Sequence, residues 1–170
     1  MKIKLEKITE YQSKQCRLFS EYSVYSSLKE YKKRNQTDKD KIINDIYIGK
    51  VAEFMVYNFL INSSKKLQPP DINIYDEYKK TYSADLILNN ANIHVKSHKL
   101  NNSYPVSWVF QKNDPLLKNK NKNDFLALVV LNVNQCYMYL YNITQVKFRQ
   151  PIKEALKVSK LCVYEKDVYL

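Results

Sequence analysis

The sequence predicts an α/β domain in which a mixed central sheet is flanked by helices and preceded by an N-terminal helical extension. Three observations carry that prediction. Ile48, Val51, Ala52, Met55, Val56, Phe59 and Leu60 follow the i, i+3, i+4, i+7 spacing of a helix with one apolar face. Short β-prone segments come directly after it. The stretch from Phe125 to Val133 is then almost continuously apolar, as a central strand covered on both faces must be.

Taken in order, Thr9 to Arg34 reads as a first helix, with Cys16, Phe19, Val24 and Leu28 as its apolar markers. Lys29 to Lys41 is polar and charged, a helix end and linker. Residues 1–45 are therefore assigned to the extension and 46–170 to the core, within one compact unit. Ser63 to Pro70 breaks the second helix. Strands are expected over Ile72 to Tyr78, Ala84 to Leu88 and Ile93 to Ser97, with a turn at Asn89 to Asn92 joining the last two. Pro105 interrupts the next stretch. Ser107 to Gln111 reads as a short strand or turn, with Trp108 and Phe110 in the core. Cys136 to Tyr141 alternates, which puts Tyr137, Tyr139 and Tyr141 on one face. Pro151 suits the first turn of a helix running to Val158, and Leu161 to Tyr164 forms a last strand.

Composition removes several classes of function. The chain has one glycine, Gly49, so no Gly-rich phosphate loop exists and kinase, P-loop and Rossmann readings fail together. No apolar run approaches the roughly 18–20 residues of a bilayer span, and Met1 to Glu6 lacks the apolar core of a secretory signal. Three widely spaced cysteines, Cys16, Cys136 and Cys162, argue against a disulfide framework and against a C-x-x-C zinc site. A cytoplasmic protein without a membrane partner is expected. The net charge of +11 favours a polyanion, nucleic acid above all, although joint enrichment in Lys, Asn, Ile and Tyr is also produced by AT-rich coding.

The chemistry concentrates between Ser83 and Ser97. Asp85 stands in one apolar strand, and a turn leads into Ile93-His-Val-Lys-Ser97. Period-2 geometry puts His94, Lys96 and His98 on one face, with Ile93, Val95 and Ser97 on the other. A lysine between Ile93 and Val95 is costly unless its ammonium meets an anion or water, and Asp85 poses the same problem. A hydrolytic site that uses a divalent cation and a positive charge accommodates both.

An aspartate, an apolar hairpin and then apolar-x-Val-Lys-Ser resembles the core signature of the PD-(D/E)XK nucleases, the restriction-endonuclease-like superfamily. Gly49-Lys-Val-Ala-Glu53 on the preceding helix is similar to the Gly-x-x-Ala-Glu context of many members. The resemblance covers about Ile46 to Val133, with Phe125 to Val133 as the family's next core strand. It implies a Mg²⁺-dependent DNA endonuclease, with Mn²⁺ as a possible substitute. Asp85 and Glu53, joined by His94 and the Val95 carbonyl, would hold the metal, and Lys96 would orient water or neutralise transition-state charge. Gln111 and Ser97 lie where substrate or metal-bound water could be touched, and Lys32, Lys33 and Arg34 could track phosphates. A homodimer is the mechanistic default, because one site cuts one strand.

One departure is plain: His94 stands where the family carries a carboxylate, and Mg²⁺ prefers oxygen ligands. Each residue also has a simpler reading: Glu53 as a solvated helix residue, Lys96 as a snorkelling strand lysine, Asp85 as a turn cap. The competing functions are a catalytically degenerate nucleic-acid-binding module on the same fold, and an interaction domain whose charge reflects coding bias alone.

Overall fold

A computed structural model describes residues 1–33, 35–63, 66–75, 84–100 and 103–168. Five strands form the main sheet: β1 (Ile3–Leu5), β2 (Leu86–Leu88), β3 (Ala91–Lys99), β5 (Asp124–Leu131) and β6 (Cys136–Asn142), in the order β1-β6-β5-β3-β2. β3 and β5 are parallel, and every other neighbouring pair is antiparallel, so the sheet is mixed. Two further strands, β4 (Ser107–Gln111) and β7 (Lys160–Tyr164), make a separate antiparallel ribbon. Two long helices, α1 (Glu10–Lys32) and α2 (Lys39–Leu60), pack on each other, and α2 packs on β3.

The helices start where their caps dictate. Thr9 accepts from the Gln12 N–H while the Gln12 side chain returns a bond to the Thr9 N–H, a reciprocal capping box. Asp38 caps α2 through the Lys41 N–H. Buried Ser20, Ser23 and Ser27 give α1 small side chains within the fold. On α2, Ala52, Met55, Val56 and Leu60 are buried, as the periodicity predicts. Phe59 departs from that stripe at 42 % exposed, and Phe54 is buried in its stead.

The two faces of the sheet carry two cores. Ile93, Ala127 and Val129 join Ala52, Met55 and Val56 of α2 on one side. Leu126, Leu128 and Val130 join Trp108 and Phe110 of the ribbon on the other. That double burial is why β5 reads as a continuous apolar run. Tyr137, Tyr139 and Tyr141 share the ribbon face, as alternation requires, and the first two hydroxyls donate to Glu165 Oε1. The β2–β3 turn is confined to Asn89 and Asn90, both at positive φ (47° and 67°), the two-residue hairpin whose twist suits its strands.

Several expectations need correction. Residues 3–5 belong to the main sheet, so the N-terminal part is not helical throughout. The division at 45/46 falls inside α2, which begins seven residues earlier at Lys39 because Asp38 supplies its cap. Ile72 to Tyr75 forms no strand, and the remainder of that expected strand, 76–78, lies outside the described residues. The helix expected from Pro151 shrinks to α4 (Glu154–Lys157), which has no side-chain cap. A further one-turn helix, α3 (Pro115–Lys118), is capped by Asp114. No helix among the described residues is long and apolar enough to cross a membrane.

Candidate active site

Asp85 immediately precedes β2, where the ladder with β3 stops. Leu86 pairs with Ile93, so the next donor along β3, the Val95 N–H, has no strand partner on that side. The Asp85 side chain takes its place: Oδ2 accepts from the Val95 N–H at 2.7 Å. Asp85 therefore extends the β2–β3 ladder with its side chain and does not cap the Asn89–Asn90 turn. The same bond fixes the carboxylate at the mouth of the β2–β3 hairpin, beside the strand that carries Lys96.

Asp85, His94 and Lys96 line one pocket of about 580 Å³, together with Asp114 and Asp124. His94 and Lys96 fall on the ribbon face because they stand opposite Leu126 and Leu128 in the parallel register. Lys96 Nζ lies 5.4 Å from the Phe110 ring centroid, so the aromatic edge of the ribbon core forms one wall of its channel. His94 Nε2 lies 3.7 Å from Asp124 Oδ1. Asp124 is 8 % exposed, and its Oδ1 also accepts from the Asn92 side chain at 2.8 Å. Asp124 thus sets a buried carboxylate beside His94.

Glu53 approaches from α2. It lines a second pocket of about 240 Å³ with Asp85, Asp71 and Lys50. Lys50 Nζ lies 2.6 Å from Glu53 Oε2 and donates to the Asp71 carbonyl at 2.9 Å. Both side chains are largely covered, Lys50 at 11 % and Glu53 at 13 % exposed, which excludes the solvated-helix reading of Glu53. Burial pushes the Glu53 carboxyl up to about 7; Lys50 opposes the rise, and the charges of Asp85 and Asp71 add to it. Asp85 is the junction: it borders both pockets, Lys96 on one side and Glu53 on the other.

A third groove, about 680 Å³, runs on from Lys96 past Gln111 to Lys160, and Lys33 at the end of α1 lines it too. Gln111 and Lys33 are thereby brought toward the site. Ser97 is not: it stands opposite Val129, on the α2 face. Lys32 is exposed on the last turn of α1, and Arg34 lies outside the described residues.

Sequence reasoning missed Lys50, Asp71, Asp114 and Asp124. Lys50 had a signal, being three residues before Glu53 and hence on the same helix face. Asp124 opens the apolar run of β5, where a buried carboxylate asks for a partner. Asp71 had no such signal, since its approach depends on the path of residues 66–75.

Glu53 and Asp85, which border one pocket, are the residues that could hold a magnesium ion retaining most of its waters. Burial of Glu53 beside Asp85 and Asp71 makes a carboxylate-lined pocket into which Lys50 brings a cation. Among the described residues no three His, Cys, Asp or Glu side chains converge as a ready-made metal cluster. Comparison with protein-family models, with curated proteins and with solved structures found no match.

Proposed function

We propose that the chain is a metal-dependent DNA endonuclease with a restriction-endonuclease-like core of the PD-(D/E)XK type. One observation carries the reading: Asp85, just before β2, and Lys96, on the neighbouring antiparallel strand β3, line a single pocket, and Asp85 is shared with the pocket that holds Glu53. The strand order supports it as well, since the carboxylate strand, the lysine strand and the apolar strand β5 lie side by side.

In this reading Glu53 and Asp85 hold Mg²⁺, or Mn²⁺ in its place. The ion supplies Lewis-acid stabilisation of charge on a phosphate oxygen and makes nearby water more acidic. Lys96 brings a positive charge to the same pocket, where it orients the attacking water or offsets charge on the phosphorane-like transition state. Asp85 Oδ2 is anchored by the Val95 N–H, so the carboxylate is held before any ligand arrives. Lys33, paired with Glu30, then Gln111 and Lys160 extend a polar, charge-mixed groove away from Lys96, and its lysines would meet the phosphates of a nucleic-acid strand. The excess charge of +11 supports a polyanionic substrate. Cutting both strands of a duplex would take two copies of the chain.

A second reading, a catalytically degenerate nucleic-acid-binding module, is favoured by one specific feature: His94 faces Asp124 across 3.7 Å, where the resembling pattern would put a carboxylate toward the metal. Incubation with plasmid in Mg²⁺ and in Mn²⁺ separates the two. Cleavage that disappears in Lys96→Ala supports the nuclease, and salt-sensitive binding without cleavage supports the module.

A further inference from the structure

Lys50 is a largely covered, doubly tied lysine that the proposed chemistry does not use. Its ammonium lies 2.6 Å from Glu53 Oε2, 2.9 Å from the Asp71 carbonyl oxygen and 4.7 Å from the Phe19 ring centroid, with the side chain only 11 % exposed. The pocket it enters is the one Glu53 shares with Asp85. A lysine on a helix can usually keep its head in water by extending its stem. Here it forgoes water for a position between a carboxylate and a carbonyl, on the side of Asp85 away from Lys96.

We propose that Lys50 is the resident counter-ion of the Glu53–Asp85 pocket: it neutralises the pocket while no divalent ion is present and swings out when one enters. The inference rests on the reading of Glu53 and Asp85 as cation ligands. An ammonium and a divalent ion on the one Glu53 carboxylate stand close together even when they use its two different oxygens, and close like charges in a desolvated pocket repel strongly. Metal affinity is therefore set by competition, and metal entry breaks the tie from Lys50 to the Asp71 carbonyl, loosening residues 71–75 from α2. Lysine suits this role better than arginine. Its compact charge on a flexible four-carbon stem can move aside as a unit, whereas a planar guanidinium holds its partners through several directed bonds.

The test is direct binding of Mn²⁺, followed by its electron paramagnetic resonance signal, to the parent protein, Lys50→Met and Lys50→Arg. Methionine keeps the stem's volume against Phe19 and removes the charge. Lys50→Met should bind Mn²⁺ about tenfold or more tightly, the size of losing one close competing charge, while Lys50→Arg should bind no better than the parent. A merely structural lysine would leave affinity unchanged or weaken it, and either result in a folded Lys50→Met would overturn the proposal. A second measurement needs no variant. Acetylation of Lys50 in the parent, read by mass spectrometry against the exposed lysines, should rise about tenfold on saturation with Mn²⁺, as its amine leaves the pocket. Unchanged labelling in the metal-saturated protein would also overturn it. If neither parent nor variant binds Mn²⁺, the reading of Glu53 and Asp85 as ligands falls, and this inference with it. If both bind equally, the ligand reading stands and only the role of Lys50 is lost.

Discussion

Glu53→Gln gives the sharpest handle on the electrostatics of the site. Burial raises the Glu53 carboxyl from its ordinary 4.5 to about 7 in the folded protein. Between those values the unfolded chain has released the proton and the folded chain still holds it. Folding then takes up a proton, so stability falls as pH rises through this window. At ~1.4 kcal/mol per unit over roughly 2.5 units, the loss is about 3 kcal/mol, complete near neutrality. In a domain of this size it corresponds to a fall in Tm of roughly 6–12 °C. Glutamine carries no such proton. It stands in for the protonated carboxyl at every pH, so its stability carries no contribution from this window. Thermal melts of parent and variant at half-unit steps should therefore give curves that are not parallel: the parent loses ground relative to Glu53→Gln as pH rises, by about 3 kcal/mol in all. Saturating Mg²⁺ should restore the parent at pH 8 and do little at pH 5, where protons compete for the carboxylate. Parallel curves from pH 5 to 8 would refute the placement of Glu53 in a desolvated, carboxylate-bordered pocket.

Three further outcomes rest on particular contacts. Trp108 is fully buried, and its indole N–H donates to the Val129 carbonyl at 2.9 Å. Trp108→Phe should cost about 2–4 kcal/mol in chemical denaturation through the lost indole hydrogen bond and the lost volume, and a loss under ~1 kcal/mol would contradict the ribbon core. Asn90 sits at φ 67° in the β2–β3 turn, so Asn90→Gly should be neutral or stabilising by up to ~1 kcal/mol, whereas Asn90→Val should destabilise by about 1–3 kcal/mol. If the groove beyond Lys96 tracks phosphates, neutralising Lys33 and Lys160 together should reduce the slope of log K against log salt by about 2 for duplex DNA, and an unchanged slope would remove both from the interface.

Much of the sheet is legible in the sequence, for a physical reason. A strand buried on both faces leaves a continuous apolar run, as in Phe125 to Leu131, and a half-buried one leaves alternation, as in Tyr137, Tyr139 and Tyr141. The pairing of β2 with β3 is local and fixed by two asparagines, so it reads directly. What does not read is what depends on distant partners. β1 is three residues long, and its pairing with β6, at the far end of the chain, leaves no local trace. The separation of β4 and β7 into their own ribbon is equally invisible, because their alternation would serve an edge of the main sheet just as well. Phe59 belongs to the apolar stripe by spacing, yet Phe54 is buried in its stead.

The site divides in the same way. Asp85 and Lys96 could be picked out because a charged residue in an apolar setting demands an explanation, and Glu53 through the resemblance of Gly49-Lys-Val-Ala-Glu53; the structure borders all three on adjoining pockets. Ser97 could not be assigned to a substrate surface by proximity alone, since the period of the strand turns it to the α2 face. Lys50 and Asp124 matter through pairings with Glu53 and His94 that only packing creates.

The proposed function stands or falls on one experiment: supercoiled plasmid incubated with the protein and Mg²⁺ or Mn²⁺, beside Asp85→Ala and Lys96→Ala. Folding of both variants is verified by circular dichroism, with a cost of only about 1–2 kcal/mol expected for Asp85→Ala from the unpaired Val95 N–H. Nicked and linear products from the parent, absent without divalent metal and absent from both variants, are the predicted result. Cleavage by folded Asp85→Ala and Lys96→Ala at the parent's rate would contradict the assignment of the site, and a parent that binds DNA but never cuts with either metal would contradict the nuclease itself.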